Sequence, residues 1–129
     1  MRTRLKTFAF SAFLGSGLTS VAASDSAAVS NIEKGRKVFE TCIACHDPSL
    51  PTKTGPDLRR VFGRKSGTVP GFRYSRAMKN ARIVWDEVTL DAYLAEPQEM
   101  LPGNAMPYPG LPPPAERRDL IAFLKTYTP

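Results

Sequence analysis

Residues 42–46 read Cys-Ile-Ala-Cys-His, and this stretch constrains the chain more than any other. Two thiols separated by two residues, with a histidine directly after the second, form the attachment pattern of a c-type haem. The thiols can add to the two vinyl groups along one porphyrin edge, and the imidazole that follows can bind the iron. The motif therefore predicts one covalent haem c, attached through Cys42 and Cys45, with His46 as an iron ligand.

Three other interpretations of the same residues stay open. A structural zinc site needs about four nitrogen or sulfur ligands, and the chain has two cysteines and one histidine. A thioredoxin-like dithiol belongs in a strand–helix–strand context, but the sequence has no alternation long enough to predict a sheet. A plain Cys42–Cys45 disulfide suits an oxidising compartment, although it leaves His46 without a role.

The N-terminal segment has the features of a secretory signal peptide. Basic residues open the chain, an apolar run covers residues 8–18, and small residues lead up to Ala23. The apolar run is shorter than the ~20 residues that span a bilayer, and an uncleaved anchor is the alternative. We expect residues 1–23 to be cleaved as a signal peptide, which leaves one domain over residues 24–129 in the periplasm.

The charge of the chain bears on its partners. The formal charge is +6, from 18 lysines and arginines against 12 acidic residues, and loss of the leader's three basic residues would leave +3. A moderate positive excess can steer encounters with acidic partner proteins. No basic run is interleaved with stacking aromatics, so nucleic acid is not predicted as a partner.

Short helices and no sheet are predicted for the rest of the chain. Residues 24–30 are small and polar and read as a flexible leader. The first helix follows them, with Gly35 on its apolar face, where a glycine permits close approach of another helix. A second helix is predicted over residues 90–96 behind Thr89 as its cap. Pro114 suits the first turn of a last helix.

Four further residues are candidates for contact with the haem. The carbonyl of Pro56 is free to accept a hydrogen bond from a ligand imidazole and so to orient the ring. Arg64, Tyr74 and Trp85 carry polar tips that could meet the haem propionates, because a buried carboxylate needs charge and hydrogen-bond donors. The alternative is a surface arginine and two aromatic residues of an ordinary core.

Further segments make the chain resemble the class I cytochromes c, the mitochondrial-type and small bacterial members, over residues 32–127. The resemblance rests on the haem motif and on the segments Gly55-Pro56-Asp57-Leu58, Phe62-Gly63-Arg64-Lys65-Ser66-Gly67, Pro70-Gly71-Phe72-Arg73-Tyr74, Trp85, Tyr93-Leu94, Pro102-Gly103-Asn104-Ala105-Met106 and Glu116-Arg117-Arg118-Asp119-Leu120-Ile121-Ala122. It implies an all-α fold of short helices around one haem, with the N- and C-terminal helices crossing where Gly35 meets Leu120.

The resemblance also implies the ligand set. His46 and Met106 would be the two axial iron ligands, and Tyr93 would lie beside the haem. Met106 stands at the family's ligand position after a Pro-Gly turn, whereas a methionine elsewhere in a small protein is usually a core filler. With both axial positions filled, no site is left for a substrate. The resemblance therefore implies an electron carrier and not an enzyme.

The expected protein is a monomeric, exported carrier with larger redox proteins as partners. The donor would be a quinol–cytochrome c reductase or a dehydrogenase, the acceptor a terminal oxidase, and no stable membrane insertion is expected. Three alternatives stay open at this point: a peroxidase or gas sensor with a labile Met106, a subunit bound to one dehydrogenase, and a haem-free module with a Cys42–Cys45 disulfide.

Overall fold

The structure, a computed structural model, describes residues 21–50 and 54–129. Residues 1–20 of the predicted signal peptide lie outside the described residues. Within the described ranges the chain forms five helices, α1 (Val21–His46), α2 (Arg76–Asn80), α3 (Glu87–Ala95), α4 (Pro97–Met100) and α5 (Pro114–Thr126). Those ranges contain no strand beyond one isolated antiparallel bridge between Lys65 and Val84. The all-α prediction is confirmed.

Helix α1 is longer than predicted and carries the haem motif at its end. It begins at Val21, so residues 24–30 are helical instead of flexible. Several alanines precede Ser30, and alanine has the highest intrinsic helix propensity. The helix runs on through the motif and ends at His46. Among the described residues, no helix is both long enough and apolar enough to cross a membrane.

The crossing of α1 and α5 at Gly35 holds the two ends of the domain together. Gly35 is buried, and a Cβ built on it would lie 2.6 Å from the carbonyl carbon of Asp119 and 2.8 Å from Cβ of Phe123. The two backbones are therefore closer than any side chain at this position would permit. The predicted close approach is confirmed, with its nearest contacts on either side of the expected Leu120.

Aromatic rings extend this crossing into the core. The ring of Phe39 lies 5.1 Å from that of Phe123 and 4.9 Å from that of Tyr127 between ring centroids. Tilted pairs at such distances add to the gain from burying their apolar area. Leucines of α3 and α5 complete the buried cluster, namely Leu90, Leu94, Leu120 and Leu124. The end of α1 is thereby fixed against a continuous core.

The start of α3 differs from the prediction. Asp86 is the N-cap, and its Oδ1 accepts a hydrogen bond of 2.8 Å from the backbone N–H of Thr89. The hydroxyl of Thr89 accepts in return from the N–H of Asp86 at 2.8 Å, which completes a capping box. The prediction that Thr89 caps this helix was wrong. Asp and Thr both favour the N-cap position, and the two residues lie three positions apart, so the sequence alone does not show which of them is the cap.

Two helices begin at a proline, and only one of these two starts was predicted. Pro114 begins α5, as predicted, because a missing N–H and a fixed φ cost nothing at a first helical position. Pro97 begins the short α4 in the same way. The five residues of α2, behind Ser75 as their cap, were not predicted, because a single turn shows no periodicity to detect.

Replacement of Gly35 by alanine is expected to destabilise the haem-loaded protein. The new methyl group would force α1 and α5 apart at Asp119, and overpacking of this kind costs about 2 kcal/mol of unfolding free energy. The higher helix propensity of alanine returns only about 1 kcal/mol, which is less than the cost of the clash with the backbone of α5. Denaturant unfolding measures the change. Glu40→Ala, on the exposed face of the same helix, is the control and should stay within about 0.5 kcal/mol.

Candidate functional site

The helices and loops enclose a cavity of about 410 Å³. This volume lies in the range of small-molecule and cofactor sites. Its apolar wall is formed by Phe39, Leu58, Val61, Leu90, Leu94, Leu120 and Leu124. The same cavity is lined by all nine predicted site residues, Cys42, Cys45, His46, Pro56, Arg64, Tyr74, Trp85, Tyr93 and Met106.

The two cysteines reach the cavity from the last turns of α1. Cys42 and Cys45 are three residues apart, so both lie on the same face of the helix. Both thiols are free and partly buried. Burial raises the pKa of the Cys42 thiol, more than the contact with Thr41 lowers it, so the group is neutral. Two free thiols beside one apolar cavity are available for thioether formation.

The imidazole of His46 is held by the loop that follows the motif. Its Nδ1 lies 2.7 Å from the carbonyl oxygen of Pro56. A carbonyl only accepts, so Nδ1 carries the hydrogen and Nε2 keeps a free lone pair. Burial lowers the pKa of His46, although the Pro56 contact acts in the opposite direction. A neutral imidazole with a free Nε2 is the form that binds a metal.

Gly55 makes this arrangement possible and was missed as a site residue. Its N–H donates to the carbonyl of Cys45 at 2.8 Å, which turns the chain back onto α1. A Cβ built on Gly55 would lie 2.7 Å from both Cε1 and Nδ1 of His46. Only a glycine leaves room for the ring. The Gly-Pro pair directly after the motif's loop was the available signal.

Met106 is placed by a separate network after α4. Its backbone N–H donates to Oδ1 of Asn104 at 2.9 Å, and its carbonyl accepts from Nε2 of Gln98 at 3.1 Å. The hydroxyl of Tyr93 lies 3.7 Å from the thioether sulfur. Asn104 was missed as a site residue. An asparagine after Pro-Gly favours hydrogen bonds to its own loop, which was the signal in the sequence.

A cation and a hydroxyl lie at another part of the cavity. The guanidinium of Arg64 donates to the carbonyls of Asp57 at 2.8 Å and Arg59 at 3.1 Å and forms no ion pair with a described carboxylate. Burial lowers its pKa, because desolvation disfavours the charged form. The hydroxyl oxygen of Tyr74 accepts from Val69 N–H at 3.4 Å. A bound carboxylate would therefore meet a positive charge that has no direct ion-pair partner among the described residues.

Trp85 lies deeper in the wall of the cavity. Its side chain is buried, and its ring packs 5.1 Å from the ring of Tyr93 between centroids. Its backbone continues the bridge with the Arg64 segment, donating to the Arg64 carbonyl at 3.0 Å. Trp85 is thus an aromatic residue of the core, as the alternative interpretation expected, and it also lines the cavity.

The donor set fits one covalently bound haem. Two thiols, a neutral imidazole and a thioether border a largely apolar space, and a guanidinium borders it as well. The described part of the chain contains no cluster of three or more His, Cys, Asp or Glu side chains arranged to hold a metal ion. The zinc interpretation therefore gains no support from the arrangement of these side chains.

Comparison with known proteins also indicates a protein that binds one covalent haem. The family model for cytochrome c matches residues 32–128. A cytochrome c of Sesamum indicum is 46% identical over 107 residues, covering 81% of this chain and 96% of that protein. A cytochrome c2 of Rhodomicrobium vannielii is 47% identical over 95 residues, covering 72% of this chain and 76% of that protein.

Among solved structures, cytochrome cH from Methylobacterium extorquens is similar, with a TM-score of 0.68 at 37% identity, covering 74% of this chain and 97% of that one. Fold and donor set together define an all-α protein built around one covalent haem. The chain belongs to the cytochrome c family. It carries one haem c through Cys42 and Cys45 and is an electron carrier for redox partners, not an enzyme.

Replacement of Gly55 by alanine is expected to displace the imidazole of His46. The added methyl group would overlap Cε1 and Nδ1 of His46 and break the hydrogen bond from Nδ1 to the Pro56 carbonyl. The expected loss in unfolding free energy is about 1–3 kcal/mol. The visible spectrum of the haem-loaded protein should change with it. Gly63→Ala is the control, because the space around Gly63 is open and only its left-handed φ of 75° opposes a side chain. An unchanged spectrum in Gly55→Ala would contradict the proposed contact.

Proposed function

We propose that this protein is an exported carrier that moves single electrons between larger redox proteins of a periplasmic respiratory or dehydrogenase chain. The observation that carries the proposal is that His46 and Met106, distant in sequence, line the same cavity as Cys42 and Cys45. Membership of the cytochrome c family supports the carrier function. The signal-peptide pattern over residues 1–23 supports export, with cleavage after Ala23.

In this proposal His46 and Met106 would be the two protein ligands that hold the iron of the bound haem. The haem supplies a reversible one-electron change of its iron when bound. Pro56 orients His46 through Nδ1, so that Nε2 is the coordinating atom. A thioether as the second ligand favours the reduced iron and raises the reduction potential relative to two nitrogen ligands. Two protein ligands would leave the iron no open position for a substrate.

The remaining predicted residues line the same cavity and would surround the bound porphyrin. Arg64 and Tyr74 would meet the propionates, because a carboxylate leaving water needs a cation and a hydroxyl donor. Trp85 and Tyr93 form part of the wall, and their rings pack against each other. These groups are held by the backbone and the core, so they move little when the iron changes charge. A site of this kind suits rapid electron transfer in both directions.

The partners follow from the carrier function and the charge. A quinol–cytochrome c reductase or a dehydrogenase would supply the electron, and a terminal oxidase would accept it. The mature chain would carry +3, enough to favour acidic docking surfaces without binding them permanently. Transient encounters of this kind need no permanent assembly, and we propose that the protein is a monomer.

Replacement of Met106 by alanine tests the ligand set. We expect the near-infrared charge-transfer band between sulfur and ferric iron to disappear, the reduction potential to fall and the reduced protein to bind carbon monoxide. Met100→Ala is the matched control, because Met100 packs against the core but does not line the cavity. The control should keep the band.

Two results would count against this ligand set. A band that survives in Met106→Ala would assign the second ligand to another residue. Rapid carbon monoxide binding by the unsubstituted reduced protein would favour a gas-binding or peroxidase function with a labile Met106.

Export is tested by the mature protein itself. After expression in a host that attaches haem in its periplasm, the purified protein should begin at Ser24 and exceed the polypeptide mass by one haem. N-terminal sequencing and intact-mass spectrometry measure both. A membrane-bound protein that retains residues 1–23 would show that this segment is a membrane anchor and not a cleaved signal peptide.

A further inference from the structure

Residues 64–84 form a loop whose two ends are joined by hydrogen bonds. The N–H of Trp85 donates to the Arg64 carbonyl at 3.0 Å, and the N–H of Ser66 donates to the Ile83 carbonyl at 2.8 Å. The N–H of Ile83 donates in return to Oγ of Ser66 at 3.2 Å. A loop closed in this way packs as one unit, so the groups on its outer side share one support. We call residues 64–84 the basic loop, because of the charges that it carries.

Charge is divided sharply between the basic loop and the segments that bear the haem-binding residues. Residues 64–84 contain six basic residues and no acidic one. Residues 85–116, which include Met106, contain six acidic residues and no lysine or arginine. Residues 38–50, which include both cysteines, contain Glu40 and Asp47 and again no lysine or arginine. An acidic partner is therefore attracted by the basic loop and repelled by the segments around the thiols and the thioether.

The cations of the basic loop are open to a partner. Apart from Arg64, which is half-buried, all of them are exposed. None of the exposed ones forms an ion pair with a described carboxylate. Exposed charges of one sign on a shared support create a local field that attracts the opposite charge. The five exposed cations are Lys65, Arg73, Arg76, Lys79 and Arg82.

The inner side of the basic loop lines the haem cavity. Tyr74 and Met78 both form part of the cavity wall. Met78 lies in the short helix α2 between Arg76 and Lys79, whose side chains are exposed. A partner on the outer side would therefore be separated from the cavity by this layer of chain alone. That position suits a redox protein, which has to exchange an electron with the iron, better than a phospholipid surface, which exchanges none.

We propose that the outer side of the basic loop is the docking surface for an acidic redox protein. The inference rests on the proposed function, in which the protein exchanges electrons with larger partners. Three of the five exposed cations are arginines, and a guanidinium can hold a carboxylate through two parallel hydrogen bonds. Each exposed pair contributes little to affinity, so the complex forms in one orientation and still dissociates quickly.

Reversal of two charges on α2 tests this surface. In Arg76→Glu/Lys79→Glu, two attractive contacts with an acidic partner become repulsive. The probe is poly-L-glutamate, and calorimetric titration of the haem-loaded protein at low ionic strength measures its binding. We expect the affinity to fall about tenfold.

Lys34→Glu/Lys37→Glu is the matched control. It makes the same change in net charge at two exposed positions of α1, outside the basic loop. The control should change the affinity for poly-L-glutamate by less than about twofold. An equal loss in both double variants would show that only the net charge matters, and it would overturn the inference. If Arg76→Glu/Lys79→Glu does not fold, Lys65→Glu/Arg82→Glu makes the same test at the ends of the basic loop.

A gold electrode coated with a carboxylate-terminated monolayer adds an electron-transfer measurement. The electrode gives one electron to the oxidised protein and takes one from the reduced protein. At low ionic strength this rate should fall about tenfold in the variant of the basic loop and stay within about twofold in the control. An unchanged rate in the loop variant would overturn the inference, because the acidic surface would then dock elsewhere.

Vesicles of phosphatidylglycerol distinguish a lipid surface from a protein partner. If the loop variant loses its binding to the vesicles but keeps its affinity for poly-L-glutamate and its rate at the electrode, the basic loop is a lipid site and the inference is wrong. Failure of the proposed function would look different. The unsubstituted protein would then lack the sulfur–iron charge-transfer band, whereas failure of the docking inference alone leaves that band in place.

Discussion

The close contact of α1 and α5 at Gly35 is the constraint on which the rest of the structure depends. Because no side chain separates the two backbones at Asp119, α1 lies in one fixed position across the last helix. The haem motif occupies the final turns of that same helix. Aromatic packing of Phe39 against Phe123 continues the contact toward the cavity. The position of both thiols therefore follows from the packing of two helices at the ends of the domain.

Two partly buried sets of hydrogen bonds hold the side chains of His46 and Met106, whose nitrogen and sulfur border the cavity. On one side the Pro56 carbonyl orients His46, with Gly55 leaving the space for its ring. On the other, Asn104 ties Tyr93 to the backbone of Met106. Hydrogen bonds in a low-dielectric interior are strong and expensive to break. A site held in this way keeps its geometry when a single charge is added or removed, as an electron carrier requires.

Much of the fold was predictable because its signals are local. The spacing of the cysteines, the glycine on an apolar helix face and the proline at the start of α5 each act within a few residues. All nine predicted site residues line one cavity, although their roles toward the haem stay predictions. Element boundaries were less predictable. Asp86 and Thr89 are both good caps, so only their hydrogen bonds show which residue begins α3.

The sequence by itself determined the chemistry of attachment, because two thiols and an imidazole at this spacing need only a short peptide to reach one porphyrin edge and its metal. The tertiary structure alone showed that Gly55 lies against His46 and that Asn104 lies between Tyr93 and Met106. The sequence marks Gly55 and Asn104 as turn residues, but it does not show which side chains they contact once the chain is folded. Their importance comes from distances of 2.7 Å to the ring of His46 and 3.2 Å to the hydroxyl of Tyr93. Such contacts depend on how separate segments pack, and residue spacing along the chain does not specify that packing.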